Sequence, residues 1–167
     1  MTTPIGSILR LARVEDLVAI NDIYNYYVDH STCTYQETHE PLDGRRKWFA
    51  NHGPAHPITV ATINGRVVGW GSLSMYHPRS AYRLTVENSV YIHHEFQRQG
   101  IGSLILADLI ERARMIGHRA IIAGADADQL ASISLHEKFK FEKVGHLKKV
   151  GFKFGRWLDV IYMELLL

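Results

Sequence analysis

Residue types able to do chemistry gather around the middle of this chain. From Gln97 to Gly102 the sequence reads Gln-Arg-Gln-Gly-Ile-Gly. Two glycines let backbone amides approach a bound group with no side chain in the way, and the helix start that follows adds about half a positive charge. That combination is an anion site, suited to a phosphate or pyrophosphate. Just upstream, Glu87 shares a strand face with Tyr91, as a general base or as a carboxylate paired with a nearby arginine. The loop from His77 to Arg83 carries Arg79 and Tyr82, placed to meet a small anionic substrate or left as ordinary surface groups. Tyr35, in the polar stretch before Pro41, lines a pocket or is a partly buried loop tyrosine.

The elements that must position these groups follow from periodicity. Val86, Val90 and Ile92 alternate with Glu87, Ser89 and Tyr91, which predicts a strand over Thr85–Ile92. Beyond the glycines, Ile101, Leu104, Ile105, Leu109, Ala113 and Ile116 recur at helical spacing, with Asp108, Glu111, Arg112 and Arg114 left for solvent. A P-loop needs Gly-Lys-Ser/Thr, and Gly102 is followed by Ser103 and Leu104. A dinucleotide fingerprint needs glycine where Ile105 stands, although Asp126 lies at about the right distance for a ribose contact.

The remaining chain reads as one domain over residues 1–167. A short strand at Ile8–Leu11 precedes a helix from about Glu15 to Tyr27, with Leu17, Ile20, Ile23, Tyr24 and Tyr27 inward. A second helix is expected from Leu42 to Asn51, then a turn at 52–57 whose two histidines do not make a metal site. Ile58–Ile63 and Arg66–Tyr76 form a hairpin through Asn64-Gly65. Ala120–Ala125 is a buried, parallel-type strand, and Asp128 is the expected cap of a helix running to Phe139. Phe141–Val150 and Trp157–Leu166 close the sheet as an antiparallel pair joined by GFKFGR. A net charge of +2, with scattered charges, leaves no nucleic-acid footprint, and no apolar run nears the roughly 18 residues of a membrane span. The N-terminal MTTPIGSILR has no signal-peptide core, and a single Cys33 excludes an internal disulfide, so a reduced, cytoplasmic setting is expected.

The pattern Gln/Arg-x-x-Gly-x-Gly at Gln97, Gly100 and Gly102 resembles the acetyl-CoA loop of the GNAT superfamily of N-acetyltransferases. LHEKFKF at Leu135–Phe141 resembles that superfamily's recurrent L-Y-E-K-x-G-F. TVENSVYI at Thr85–Ile92 and GFKFGRWLDV at Gly151–Val160 narrow the likeness to the phosphinothricin and methionine sulfoximine acetyltransferases. The resemblance runs over nearly the whole chain. It implies a mixed α/β sheet between helices, in the order β-α-α-β-β-β-α-β-α-β-β. Two positions depart from the pattern. Gln129 stands where the superfamily has a cofactor-contacting Asn ahead of Ser132, and Lys140 replaces a glycine. If Lys140 keeps a left-handed cap, its side chain costs about 1–2 kcal/mol.

The implied activity is acetyl transfer from acetyl-CoA to the α-amine of a small amino-acid analogue, with no metal and a homodimeric assembly. Glu87 would be the base, the Ile92 amide the oxyanion donor, and His136 either an acid for the departing thiolate or a core histidine. Val90, Tyr91, Ile92 and the run Arg98, Gln99, Gly100, Ile101, Gly102, Ser103 would hold pantetheine and pyrophosphate, with Gln129 and Ser132 near them. Tyr35, Arg79, Tyr82, Glu87 and Tyr91 would surround the acceptor. A protein N-terminal or lysine acetyltransferase and a non-catalytic acetyl-CoA-binding module are the alternatives.

Overall fold

A computed structural model describes residues 6–167 of the chain. The elements run β1 (Ser7–Leu11), α1 (Leu17–His30), α2 (Leu42–Ala50), β2 (Ile58–Ile63), β3 (Arg66–Met75), β4 (Thr85–Ile92), α3 (Ile101–Ile116), β5 (Ala120–Asp126), α4 (Leu130–Lys138), β6 (Glu142–Lys153) and β7 (Arg156–Leu166). One seven-stranded sheet has the order β1-β2-β3-β4-β5-β7-β6. All neighbours are antiparallel except β4 and β5. Helices cover both faces. Leu17, Ile20, Ile23 and Tyr27 of α1 pack on Val60 and Trp70, while Ile105, Leu106 and Leu109 of α3 pack on Val86, Ile121 and Met163. Each large aliphatic side chain so buried contributes about 1.5–3 kcal/mol relative to exposure.

The expected element order holds, and the differences lie at edges. A short 3-10 turn, Val14–Asp16, precedes α1, because Asp16 is taken by Arg10 at 2.6 Å and by the Arg13 amide. The same helix runs on to His30, whose ring bonds to the Tyr26 carbonyl and extends the last turn. In α3 the buried stripe includes Leu106 and Ile110, while Ile116 is exposed. Asp128 does not cap α4; its carboxylate goes to Arg156, and Gln129 takes the cap position. The last hairpin is longer than expected and turns at Phe154-Gly155, both in left-handed conformation. Two irregularities in β6, one at Leu147/Gly151, had masked the alternation that would extend the strand.

The feature that matters for function is where β4 and β5 part. They pair only through Thr85–Glu87 and Ala120–Ile122, although both strands continue. Beyond Glu87 the sheet opens into a gap, with the glycine turn and the start of α3 beyond the far end of β4.

Candidate active site

The strand β4 presents different chemistry on its two faces and along one edge. His93 donates to the Val68 carbonyl, so alternation along the β3–β4 ladder turns the peptide groups of Val90 and Ile92 away from β3, into the gap. Two unpaired strand amides therefore line the opening. The Ile92 carbonyl accepts from the Tyr27 hydroxyl, which in turn accepts from Gln97 Nε2 at 2.6 Å. That chain of bonds ties α1, the end of β4 and the glycine turn together. Tyr27 had been legible only as a core residue.

The turn itself has the backbone geometry of a candidate anion site. Gly100 sits at φ +83 as the residue before α3, and Arg98 is also left-handed at φ +60. The Leu104 amide is the first of α3 to find a carbonyl, on Gly100, which leaves the amides of Ile101, Gly102 and Ser103 for an external acceptor. Lys138 of α4 reaches Ser103 Oγ at 3.1 Å and adds a cation beside the turn, a contribution not foreseen from the sequence. Gln99 bonds weakly to the Glu95 carbonyl at 3.4 Å.

On the face towards α1 and α2, Glu87 is half-buried, and among the described residues it has neither an ion pair nor a hydrogen bond. The arginine-paired reading of this carboxylate finds no partner. Burial pushes its pKa up, towards the range useful for a base. Its Oε1 faces Gly124 of β5, where a β-carbon would sit 3.8 Å away. Ser89 and Tyr91 follow on the same face, successive side chains about 6.8 Å apart along the strand. They open into a cavity of about 300 Å³ lined by Tyr24, Gln36, Glu40, Arg45, Trp48, Trp70, Ser72, Ser89 and Tyr91. Tyr91 stacks on Trp70 at 4.8 Å and meets Tyr24 edge-on at 5.4 Å; burial pushes its phenol far up. A larger cavity of about 480 Å³ lies at the other end of α3, among Phe49, His52, Pro57, Arg112 and Met115, and shares no lining residue with the smaller one.

The other expected site residues are distributed as follows. Tyr35 lies over Gly151, where a β-carbon would collide with its ring, and its hydroxyl donates to the Asp159 carbonyl at 3.0 Å. Burial, with help from Asp126 and Asp159, pushes this phenol up to about 12. Arg79 and Tyr82 are exposed on the β3–β4 loop, at the Glu87 end of β4, and none of these three lines the cavity. His136 is buried on the opposite face of β4 from Glu87. Its Nδ1 donates to the Ser132 carbonyl at 2.8 Å, so Nε2 accepts from the Asn88 amide at 3.0 Å, and burial pushes its pKa down. Gln129 reaches the hydroxyls of Ser31 and Thr32, and so joins the α4 start to the α1–α2 loop. Lys140 keeps the left-handed cap at φ +69. Asp126, at the end of β5, caps the turn through the Asp128 amide. Among the described residues there is no group of three His, Cys, Asp or Glu arranged to hold a metal. No helix of the described residues is long and apolar enough to cross a membrane.

Sequence reasoning missed most of the cavity wall, above all Arg45. The available signal was the spacing Leu42, Arg45, Trp48 on one face of α2, which places a cation among apolar neighbours.

Comparison with known proteins bears on this geometry. A model of the acetyltransferase (GNAT) family matches residues 20–141. An L-methionine sulfoximine/L-methionine sulfone acetyltransferase of Pseudomonas aeruginosa is 40% identical over 159 residues, covering 94% of this chain and 92% of its own. A phosphinothricin acetyltransferase from Sinorhizobium meliloti, solved in complex with acetyl-CoA, superposes with a TM-score of 0.94 at 36% identity, over 98% of this chain and 89% of that one. A ribosomal-protein-alanine N-acetyltransferase from Brucella melitensis superposes with a TM-score of 0.93 at 40% identity, over 96% of this chain and 99% of that one.

Proposed function

Because the chain belongs to the acetyltransferase (GNAT) family, we propose that it moves acetyl from acetyl-CoA to the α-amine of a small amino acid with a tetrahedral, oxygen-bearing side-chain end, such as methionine sulfoximine or phosphinothricin. The observation that carries this reading is Glu87. It is a half-buried carboxylate with no partner among the described residues, between a small aromatic cavity and a gap lined by free strand amides.

Acetyl-CoA supplies an activated acyl carbon when bound. The amides of Ile101, Gly102 and Ser103, with Lys138 beside them, suit its pyrophosphate, and the peptide groups of Val90 and Ile92 suit its pantetheine arm. An α-ammonium near pKa 8 is mostly protonated at neutral pH and must lose a proton before it attacks. Glu87 takes that proton, directly or through one water. As the new C–N bond forms, the Ile92 amide donates to the carbonyl oxygen on which negative charge gathers, and Tyr27 holds that strand end in place. Breaking of the C–S bond would release CoA as a thiolate, and the proton that the acylated nitrogen must still shed would balance it. His136 does not protonate that thiolate, since its only N–H is held by the Ser132 carbonyl; its part is to orient Asn88 in β4. Proximity and the oxyanion contact together supply about 10 kcal/mol or more, so a modest base is enough. Arg79 and Tyr82, exposed at the Glu87 end of β4, meet the acceptor's acidic groups on entry, and Tyr35 holds the α1–α2 loop against the last hairpin. A lone, half-buried Cys33 fits a reduced cytoplasmic setting.

The likeness to the Brucella enzyme favours a second reading, acetylation of a protein amino terminus. A half-open cavity of about 300 Å³ with aromatic walls matches a free amino acid in size. CoA release measured with methionine sulfoximine, phosphinothricin, methionine and an alanine-ended peptide tests both. One of the first two should lead in kcat/KM by at least tenfold; a leading peptide would overturn the small-molecule reading.

A further inference from the structure

The cavity beside Glu87 contains a cation that the mechanism above does not use. Arg45 of α2 is only 4% exposed, and its guanidinium lies over three rings: Tyr24 at 4.6 Å, Trp48 at 4.7 Å and Trp70 at 5.7 Å. Its Nε donates to Asn21 Oδ1 at 3.1 Å, which fixes the plane of the fork. Among the described residues its two terminal nitrogens have no acceptor, and no carboxylate lies within 4 Å of them. Glu40 lines the same cavity, but its carboxylate is turned to Gln36 at 3.4 Å and packs against Gly44.

A buried cation with no ion-pair partner within 4 Å among the described residues is costly to keep, and the charge of Glu40 in the same cavity offsets only part of its desolvation. Three aromatic faces recover part of that cost, but they satisfy no N–H donor. Burial accordingly pushes the guanidinium pKa down. What is left is a pair of terminal N–H donors on a side chain that lines the cavity together with Ser72 and Ser89, and a guanidinium fork pairs bidentately with a carboxylate. Ser89 lies between Glu87 and Ile92 on β4, and so between the proposed base and the proposed oxyanion donor.

We propose that Arg45 binds the α-carboxylate of the acceptor, and that this cage makes the enzyme select free amino acids. The inference rests on the amino-acid acceptor proposed above and adds the group that recognises it. A peptide amino terminus carries an amide at that position and would leave the buried fork unpaired, which is the kind of mismatch a polar site rejects most strongly.

The test is binding read separately from turnover. Trp48 and Trp70 line the cavity, so in a Trp157→Phe background, which removes the third tryptophan, their fluorescence reports occupancy. Methionine sulfone should quench with an affinity at least tenfold higher than its α-carboxamide. In Arg45→Gln the acid should weaken tenfold or more while the amide changes little, so that the ratio falls to about two or less. Arg45→Lys, which keeps the charge and loses the fork, should fall between the two. Unchanged acetyl-CoA affinity and melting behaviour identify variants that remain folded. Equal binding of acid and amide by the wild type would overturn the proposal. So would an acid-to-amide ratio that survives in folded Arg45→Lys, or a loss confined to the phosphinate of phosphinothricin. Turnover followed in parallel separates the two readings: carboxylate-dependent quenching without acetylation would sink the acceptor assignment and leave the Arg45 site standing.

Discussion

Glu87 is the residue on which the proposed chemistry turns, and its surroundings make two measurable claims. Replacing it with Gln keeps the shape and removes the base, so kcat should fall by roughly 10²-fold or more while acetyl-CoA affinity stays near wild type. Retention of most turnover at neutral pH would place the base elsewhere. The second claim concerns stability. Burial raises the folded-state pKa of Glu87 above its unfolded value, so the native state binds its proton more tightly. The resulting cost is absent below the ordinary carboxylate pKa and grows as pH rises through the folded one. The melting temperature of Glu87→Gln minus that of the wild type should therefore become more positive as pH rises across that window. A difference that stays flat with pH would mean that the carboxyl is not perturbed. Residue type and spacing were enough to single out Glu87, because strand alternation fixes its face. They could not decide between a base and an ion-paired carboxylate, since that depends on what β5 brings opposite, and β5 brings Gly124 rather than an arginine.

At the scale of elements, the glycine turn and α3 were legible because their requirements are local. A left-handed residue at Gly100, an apolar stripe and a free helix start are all written in adjacent residues. The parting of β4 from β5 was not legible, since the three-residue pairing depends on strands far apart in sequence. Most of the cavity wall was hidden for the same reason: Arg45 and Trp70 come from α2 and β3, whereas Tyr91 of β4 was named through the family resemblance. The turn gives a test at its own scale. A valine at Gly100 is disfavoured at φ +83, and relieving that strain turns the free amides away from the anion site. Gly100→Val protein that remains folded should bind acetyl-CoA at least tenfold more weakly by calorimetry. Unchanged affinity would remove this turn from the cofactor site.

At the scale of the whole molecule, the mixed sheet between helices was expected, but the strand order and the surface were not. The sheet ends on β6, a strand of 12 residues with its outer edge unpaired. Around that edge Leu147, Val150, Phe152, Phe154 and Trp157 are each at least 45% exposed. A long edge strand bearing large apolar side chains invites pairing with another chain unless something covers it. We propose that a second copy covers it, the assembly expected from the family resemblance. Light scattering at micromolar concentration should give a mass close to twice 19.0 kDa. Charges introduced at the centre of the patch, as in Phe152→Glu with Trp157→Glu, should shift the protein to monomer without unfolding it, because both side chains already face solvent in the single chain. The hairpin also holds the α1–α2 loop, through Lys153 Nζ to the carbonyls of Ser31 and Thr34 and through the Asp159 carbonyl to Tyr35. Dissociation should therefore loosen the loop that carries Gln36 and Glu40 of the cavity wall, and raise KM for the acceptor more than it lowers acetyl-CoA affinity. A wild-type mass of one chain at all accessible concentrations would refute the assembly and leave the patch to some other partner.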